Sequence, residues 1–92
     1  MKNKLTKIRY DLDKLDSSLL NLIKKRTILV EKVLKTKKHK NQIIDKKRIK
    51  EILKNIRKKS LQRKIDPEIT KIIWTNMIKA YIKYEFKRFN KK

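Results

Sequence analysis

The sequence has 92 residues, of which 30 are Lys or Arg and 9 are Asp or Glu, so its formal net charge is +21. A chain of this length forms one small domain, whose core is only marginally stable without oligomerisation. It has no Cys and a single His, which excludes disulfides and thiolate metal sites and argues against any metal centre. Because its start lacks the apolar segment of a signal peptide, we expect a cytoplasmic protein without membrane contact.

The basic composition has two explanations. Such a charge suggests a nucleic-acid or anionic membrane partner. However, 24 lysines stand against 6 arginines, Gly is absent, and Ala and Pro occur once each. An AT-rich genome produces that pattern without any selected partner. We favour this second explanation, so a nucleic-acid partner is not expected and each arginine becomes informative.

The residues from Leu5 to about Lys38 predict one long amphipathic helix. Apolar residues recur there at alternating spacings of three and four, with no Pro or Gly to interrupt them. They are Leu5, Ile8, Leu12, Leu15, Leu19, Leu22, Leu29 and Val33. A helix of roughly 50 Å is too long for the rest of the chain to cover. We therefore expect an intertwined homodimer.

Arg26 occupies the position in this seam where an apolar residue belongs. An unpaired guanidinium in a packed seam costs several kcal/mol, so a carboxylate meets it or the seam is open there. Lys37 points the same way about 16 Å further along the axis, which leaves room for a small anion. Taken alone, Lys37 is more simply a solvated charge. Arg9 lies about 25 Å before Arg26 and would reach only a pocket built by a partner chain.

Two further helices follow a short loop at residues 41–44. Asp45 predicts the N-cap of the second helix. The segment Asp66-Pro67-Glu68 predicts the start of the third, which runs to about Phe89. No strand signal occurs. The sequence therefore predicts an all-α fold of three helices (long, short and medium) in a single domain, residues 1–92.

The third helix carries two apolar stripes. The first contains Ile69, Ile72, Ile73, Met77, Ala80 and Tyr84, and the adjoining one contains Trp74, Ile78, Tyr81 and Glu85. Glu85 is the exception on an apolar or aromatic stripe, and a partner lysine is its simplest explanation. The chain offers no nucleophile with a base, so a chemistry of cations and hydrogen bonds fits best.

Over nearly its whole length, the chain resembles the all-helical chorismate mutase family. The matching segments are Ile8-Arg9, Leu15-Asp16-Ser17-Ser18-Leu19-Leu20 ending at Arg26, Lys37, Asp45-Lys46-Lys47-Arg48, and Ile65-Asp66-Pro67-Glu68. No single segment is specific, but their order and spacing together are.

The resemblance implies an intertwined homodimer with two shared active sites that rearrange the dianion chorismate to prephenate without a cofactor. By resemblance, Arg26 and the partner's Arg9 clamp the two carboxylates of the substrate. Lys37 would hydrogen-bond the ether oxygen whose bond breaks. Arg48 and Asp45 would complete the wall around the substrate.

Three positions depart from the family pattern. Ile49 stands where a Glu binds the ring hydroxyl of the substrate, and Tyr81 stands where a small Ser is common. Glu85 replaces the usual Gln beside the ether oxygen and has to be protonated to donate a hydrogen bond there. We therefore expect reduced activity. The alternatives are a catalytically impaired regulatory relative of the family and a basic helical dimer that binds nucleic acid.

Overall fold

The long first helix is confirmed. A computed structural model describes residues 2–90, which contain three α helices and no strand. Helix α1 spans Lys2–Thr36, 35 residues. The residues of its apolar seam remain largely exposed in the single chain, from 48% at Ile8 to 62% at Leu15. An apolar stripe of this length open to water is uncommon on a monomeric protein.

The described part of the chain divides into two units, with the boundary between residues 32 and 33. The first unit is the greater part of α1. The second unit begins near the end of α1 and contains the connection and the other two helices, α2 (Lys46–Gln62) and α3 (Pro67–Phe89). No helix within residues 2–90 has the length and apolarity needed to cross a bilayer.

The connection after α1 is more ordered than the predicted loop. Residues Lys40–Gln42 form a short 3₁₀ helix. The Gln42 side-chain oxygen accepts hydrogen bonds from the backbone N–H groups of Lys38 at 2.7 Å and His39 at 3.0 Å. This one oxygen is the acceptor for two backbone N–H groups that lie beyond the end of α1.

The predicted starts of α2 and α3 are confirmed by their caps. Asp45 Oδ1 accepts from the Arg48 backbone N–H at 3.0 Å, and Asp66 Oδ1 accepts from the Glu68 N–H at 2.9 Å. Pro67 follows at the first helical position, where its missing N–H costs nothing. Because these hydrogen bonds join residues only two or three positions apart, both helix starts could be predicted from the local sequence.

Helix α2 ends in a Schellman motif. The Ile65 N–H donates to the Ser60 carbonyl at 2.9 Å, and the Lys64 N–H donates to the Leu61 carbonyl at 3.2 Å. Lys64 adopts the left-handed region with φ of 57°, where Gly is usual. The chain contains no Gly, so Lys64 adopts this conformation although its Cβ comes close to the following carbonyl oxygen.

The small core of the second unit is partly polar. Its buried apolar residues are Leu34, Ile43 and Ile78. Helix α2 packs on α3, and the buried Ser60 and Thr70 hydroxyls lie 2.7 Å apart between them. Because each hydroxyl has a partner, neither bears the cost of an unsatisfied buried group.

The two stripes of α3 differ in burial. Ile78 and Glu85 of the second stripe are buried, and Trp74 and Tyr81 are half-buried. Along the first stripe, by contrast, the initial residues are exposed: Ile69 at 55%, Ile72 at 56% and Ile73 at 48%. The stripe that contains Glu85 is thus the inner face of α3 in the single chain.

Candidate active site

Lys37 and Glu85 form an ion pair in the second unit. Lys37 lies just beyond the end of α1 and Glu85 lies on α3, 48 positions later, yet Lys37 Nζ and Glu85 Oε1 are 3.4 Å apart. Their side chains are only 16% and 9% exposed. The view of Lys37 as a solvated charge is therefore wrong, whereas the prediction of a lysine partner for Glu85 is confirmed.

Lys37 is also held by the backbone. Its ammonium donates to the Ile43 carbonyl at 3.4 Å, within the turn that follows α1. Removing one partner of a buried ion pair is costly because it leaves the other charge uncompensated. The second acceptor, the Ile43 carbonyl, holds the ammonium of Lys37 close to Glu85.

A broad, open cavity of about 730 Å³ adjoins Lys37. Its walls come from the end of α1, the turn and the start of α2: Thr36, Lys37, Asn41, Gln42, Ile44, Asp45 and Lys46. Small-molecule sites commonly have volumes of about 300–1,000 Å³. The structure thus brings two of the predicted site residues, Lys37 and Asp45, to one concave surface.

The start of α2 places Arg48 in a different setting. Arg48 Nη1 and Glu51 Oε1 are 2.9 Å apart, and their side chains are 60% and 54% exposed. Exposed pairs of this kind are worth only about 0.2–1 kcal/mol, so Arg48 remains available to a stronger anion. Glu51 was not among the predicted site residues, although its i,i+3 spacing from Arg48 on a helix predicts an ion pair between them. Ile49 is half-buried beside Arg48.

Tyr81 lies one helical turn before Glu85 on the inner face of α3. It is half-buried, and its ring meets that of Tyr84 edge-on, with centroids 6.5 Å apart and planes at 89°. Arg88 in turn lies over the Tyr84 ring, 5.9 Å from the centroid. A large aromatic side chain therefore occupies the position one turn from the ion pair, where the family commonly has a small residue.

The two remaining predicted residues belong to the first unit. Arg9 is exposed, and Arg26 is half-buried between the exposed seam residues Leu22 and Leu29. At 1.5 Å per residue, Arg9 and Arg26 are about 25 Å apart along α1. This distance prevents both arginines of one chain from holding the same small molecule.

The described residues, 2–90, contain no group of three or more His, Cys, Asp and Glu side chains arranged to hold a metal ion. The charged residues of the predicted site carry ammonium, guanidinium and carboxyl groups. These groups can bind an anion, and Lys37 can donate a hydrogen bond to an oxygen. When protonated, Glu85 can donate one as well.

These features define an all-helical protein with a candidate site for a small anion. A family model described as chorismate mutase type II matches residues 8–86, a range that includes every predicted site residue from Arg9 to Glu85. The chain belongs to the chorismate mutase type II family. This membership supports a chorismate mutase function, the isomerase activity that the resemblance had implied. No curated protein and no solved structure matches the chain.

Proposed function

We propose that this chain rearranges chorismate to prephenate at a site that includes Lys37 and Glu85. The observation that carries the proposal is their ion pair of 3.4 Å. The resemblance assigns both residues to the ether oxygen of the substrate, and they come together although 48 positions separate them. The adjoining cavity, with Asp45 in its wall, supplies space for a ligand.

The reaction is an isomerisation within one molecule. The ether C–O bond breaks while a C–C bond forms, and no proton, electron or group enters or leaves. The protein therefore has two tasks: to hold the substrate in its reactive conformation and to stabilise the charge that separates in the transition state. In the proposed site, Lys37 donates to the ether oxygen as negative charge develops there.

In this proposal, arginines bind the two carboxylates of the substrate. We assign Arg26 and the partner's Arg9 as the clamp, with Arg48 near the wall formed by Asp45. Guanidinium groups suit this task because their fixed fork of donors matches a carboxylate. The separation of about 25 Å between Arg9 and Arg26 on α1 supports a site completed by a second chain.

The proposal includes an intertwined homodimer with two shared sites. The support is the apolar seam of α1, which stays exposed in the single chain along its whole length, with Leu5 at 49% and Val33 at 51%. Covering such a stripe provides the burial that a chain of this size lacks by itself. The cytoplasmic location stays a prediction from the sequence.

A catalytically impaired relative is the second candidate. The observation that favours it is the same ion pair, because a carboxylate bound to Lys37 competes with the substrate for that ammonium. Ile49 removes a further polar contact that the family pattern supplies. We therefore expect slow turnover.

Direct measurement of chorismate disappearance with purified protein tests the proposal. Arg26→Ala should remove most of the activity while helicity and dimerisation stay near normal, because the arginine serves the ligand. Arg57→Ala, which removes an exposed arginine outside the proposed site, is the matched control. Absence of any rate above the uncatalysed reaction would favour the impaired relative, and unfolding of Arg26→Ala would indicate a structural role.

A further inference from the structure

Positive charge is concentrated in α2. Its 17 residues include eight cationic residues and one acidic residue, a net charge of +7. By the same count α1 carries +6 over 35 residues and α3 carries +3 over 23. Because the proposed dimer covers much of α1, α3 is the better comparison, and its net charge per residue is about a third of that of α2. A general compositional bias toward Lys therefore does not by itself explain the concentration of charge on α2.

The exposed cations of α2 form one continuous surface, which we call the basic face. It consists of Lys47, Lys50, Lys54, Arg57 and Lys58, all exposed. At 3.6 residues per turn they fall within an arc of about 100° and span about 17 Å of the axis. The opposite side of α2 bears the half-buried Ile52 and Ile56 and the buried Ser60, which meets Thr70 of α3. The basic face therefore points to solvent.

Within residues 2–90, no acidic side chain pairs with a cation of the basic face. The one acidic residue of α2, Glu51, is engaged by Arg48 at 2.9 Å. Like charges three and four positions apart, such as Lys50, Lys54 and Lys58, destabilise a helix. An external polyanion would remove that repulsion.

We propose that the basic face binds the phosphate backbone of a duplex nucleic acid. A duplex presents one negative charge per about 1.7 Å of its axis, so about ten charges lie along the length of the face. Helix α2 has no aromatic residue, and so the face lacks the stacking platforms used by proteins that bind single strands. Four of the five cations are lysines, and contacts from lysine to phosphate oxygens carry no direct sequence information. Binding is therefore independent of sequence.

A membrane surface is the less suitable partner. Helices that lie on bilayers insert an apolar face beside their basic one. The apolar side of α2 faces the interior of the second unit and packs on α3. The basic face thus presents positive charge without an exposed apolar surface, which suits the row of negative charges on a phosphodiester backbone. The composition suggested a nucleic-acid partner, but an AT-rich genome was the favoured explanation for it. The position of the lysines on one face of α2 is the further observation that favours this partner.

Two variants of equal net charge test the proposal. The first removes four basic-face charges: Lys47→Gln, Lys50→Gln, Lys54→Gln and Lys58→Gln. The control removes four exposed charges of α3: Lys71→Gln, Lys79→Gln, Lys83→Gln and Lys87→Gln. Fluorescence anisotropy with a labelled duplex of arbitrary sequence is measured over a series of salt concentrations. Circular dichroism checks that each variant is folded.

For the wild type, the logarithm of the association constant should fall with the logarithm of salt concentration, with a slope as steep as about −4.5 for five phosphate contacts. The basic-face variant should lose up to about 3.6 of that slope and at least tenfold in affinity at low salt. The α3 variant should retain most of both. Equal losses in the two variants would overturn the proposal by showing a net-charge effect. Stronger binding to phosphatidylserine vesicles than to duplex, or no duplex binding by the wild type, would also overturn it.

Discussion

Glu85→Gln is the most informative substitution in the proposed site, because it changes both stability and chemistry. At 3.4 Å, the Lys37–Glu85 attraction is about 5 kcal/mol for an effective dielectric constant of about 20. Desolvation of the half-buried Lys37 and the buried Glu85 offsets most of this, and a net contribution of about 1–3 kcal/mol remains. Gln keeps a carbonyl oxygen that accepts from Lys37. We therefore expect the free energy of unfolding to fall by about 1–2 kcal/mol.

Activity should change in the opposite direction. An ionised Glu85 repels the negative charge that develops on the ether oxygen, whereas the Gln amide donates a hydrogen bond to it at every pH. Replacing repulsion by a donor should lower the activation free energy by about 1–2 kcal/mol, which is roughly a 5- to 30-fold rise in kcat at neutral pH.

The assay is the kcat for chorismate disappearance at neutral pH, compared between wild type and Glu85→Gln. Glu68→Gln, which neutralises an exposed carboxylate in the first turn of α3, is the matched control and should keep the wild-type kcat. Circular dichroism separates loss of activity from loss of fold. Equal kcat values for wild type and folded Glu85→Gln would remove Glu85 from the mechanism.

Three further predictions address the partner chain, the substrate hydroxyl and the turn after α2. Mixing Arg9→Ala chains with Arg26→Ala chains should restore activity in one of the two sites of each heterodimer; inactive mixtures with demonstrated subunit exchange would exclude a shared site. Ile49→Glu should raise kcat/KM by the equivalent of about 1–3 kcal/mol, because it adds a polar contact; an unchanged value in a folded variant would show that the hydroxyl has another partner. Lys64→Gly should raise the free energy of unfolding by about 1 kcal/mol by relieving the left-handed residue, whereas Lys58→Gly inside α2 should lower it by a similar amount, both measured by urea titration. A loss of stability in Lys64→Gly would contradict the turn geometry.

The helix boundaries could be predicted because they depend on local chemistry. Asp45 and the Asp66-Pro67 pair stabilise helix starts through bonds to residues two or three positions away. The inner face of α3 could not be predicted in the same way, since both of its stripes are apolar. Packing against α2 selects between them, and the selection includes the polar contact of Thr70 with Ser60.

Long-range contacts also limited what could be predicted about the site. Lys37 lies in a lysine-rich segment, so its local sequence indicates a solvated charge. Its partner, Glu85, is 48 positions away, a separation at which helical periodicity carries no information. The resemblance to the family placed both residues beside the ether oxygen of the substrate. It therefore implied that Lys37 and Glu85 lie close together, which the local sequence does not show. The Arg48–Glu51 pair, by contrast, needed only the i,i+3 rule.

The two ion pairs also indicate which residues of the proposed site bind the substrate carboxylates and which act on the ether oxygen. Lys37 with Glu85 and Arg48 with Glu51 together contribute no net charge. In the proposed site, the main attraction for a dianion comes from Arg26 and the partner's Arg9, one guanidinium for each carboxylate. Lys37 and Glu85 are left to act on the ether oxygen, where charge appears only in the transition state. Substitutions of the two arginines should therefore raise KM strongly, whereas substitutions of Lys37 or Glu85 should change kcat more than KM, because an interaction realised only in the transition state contributes to kcat.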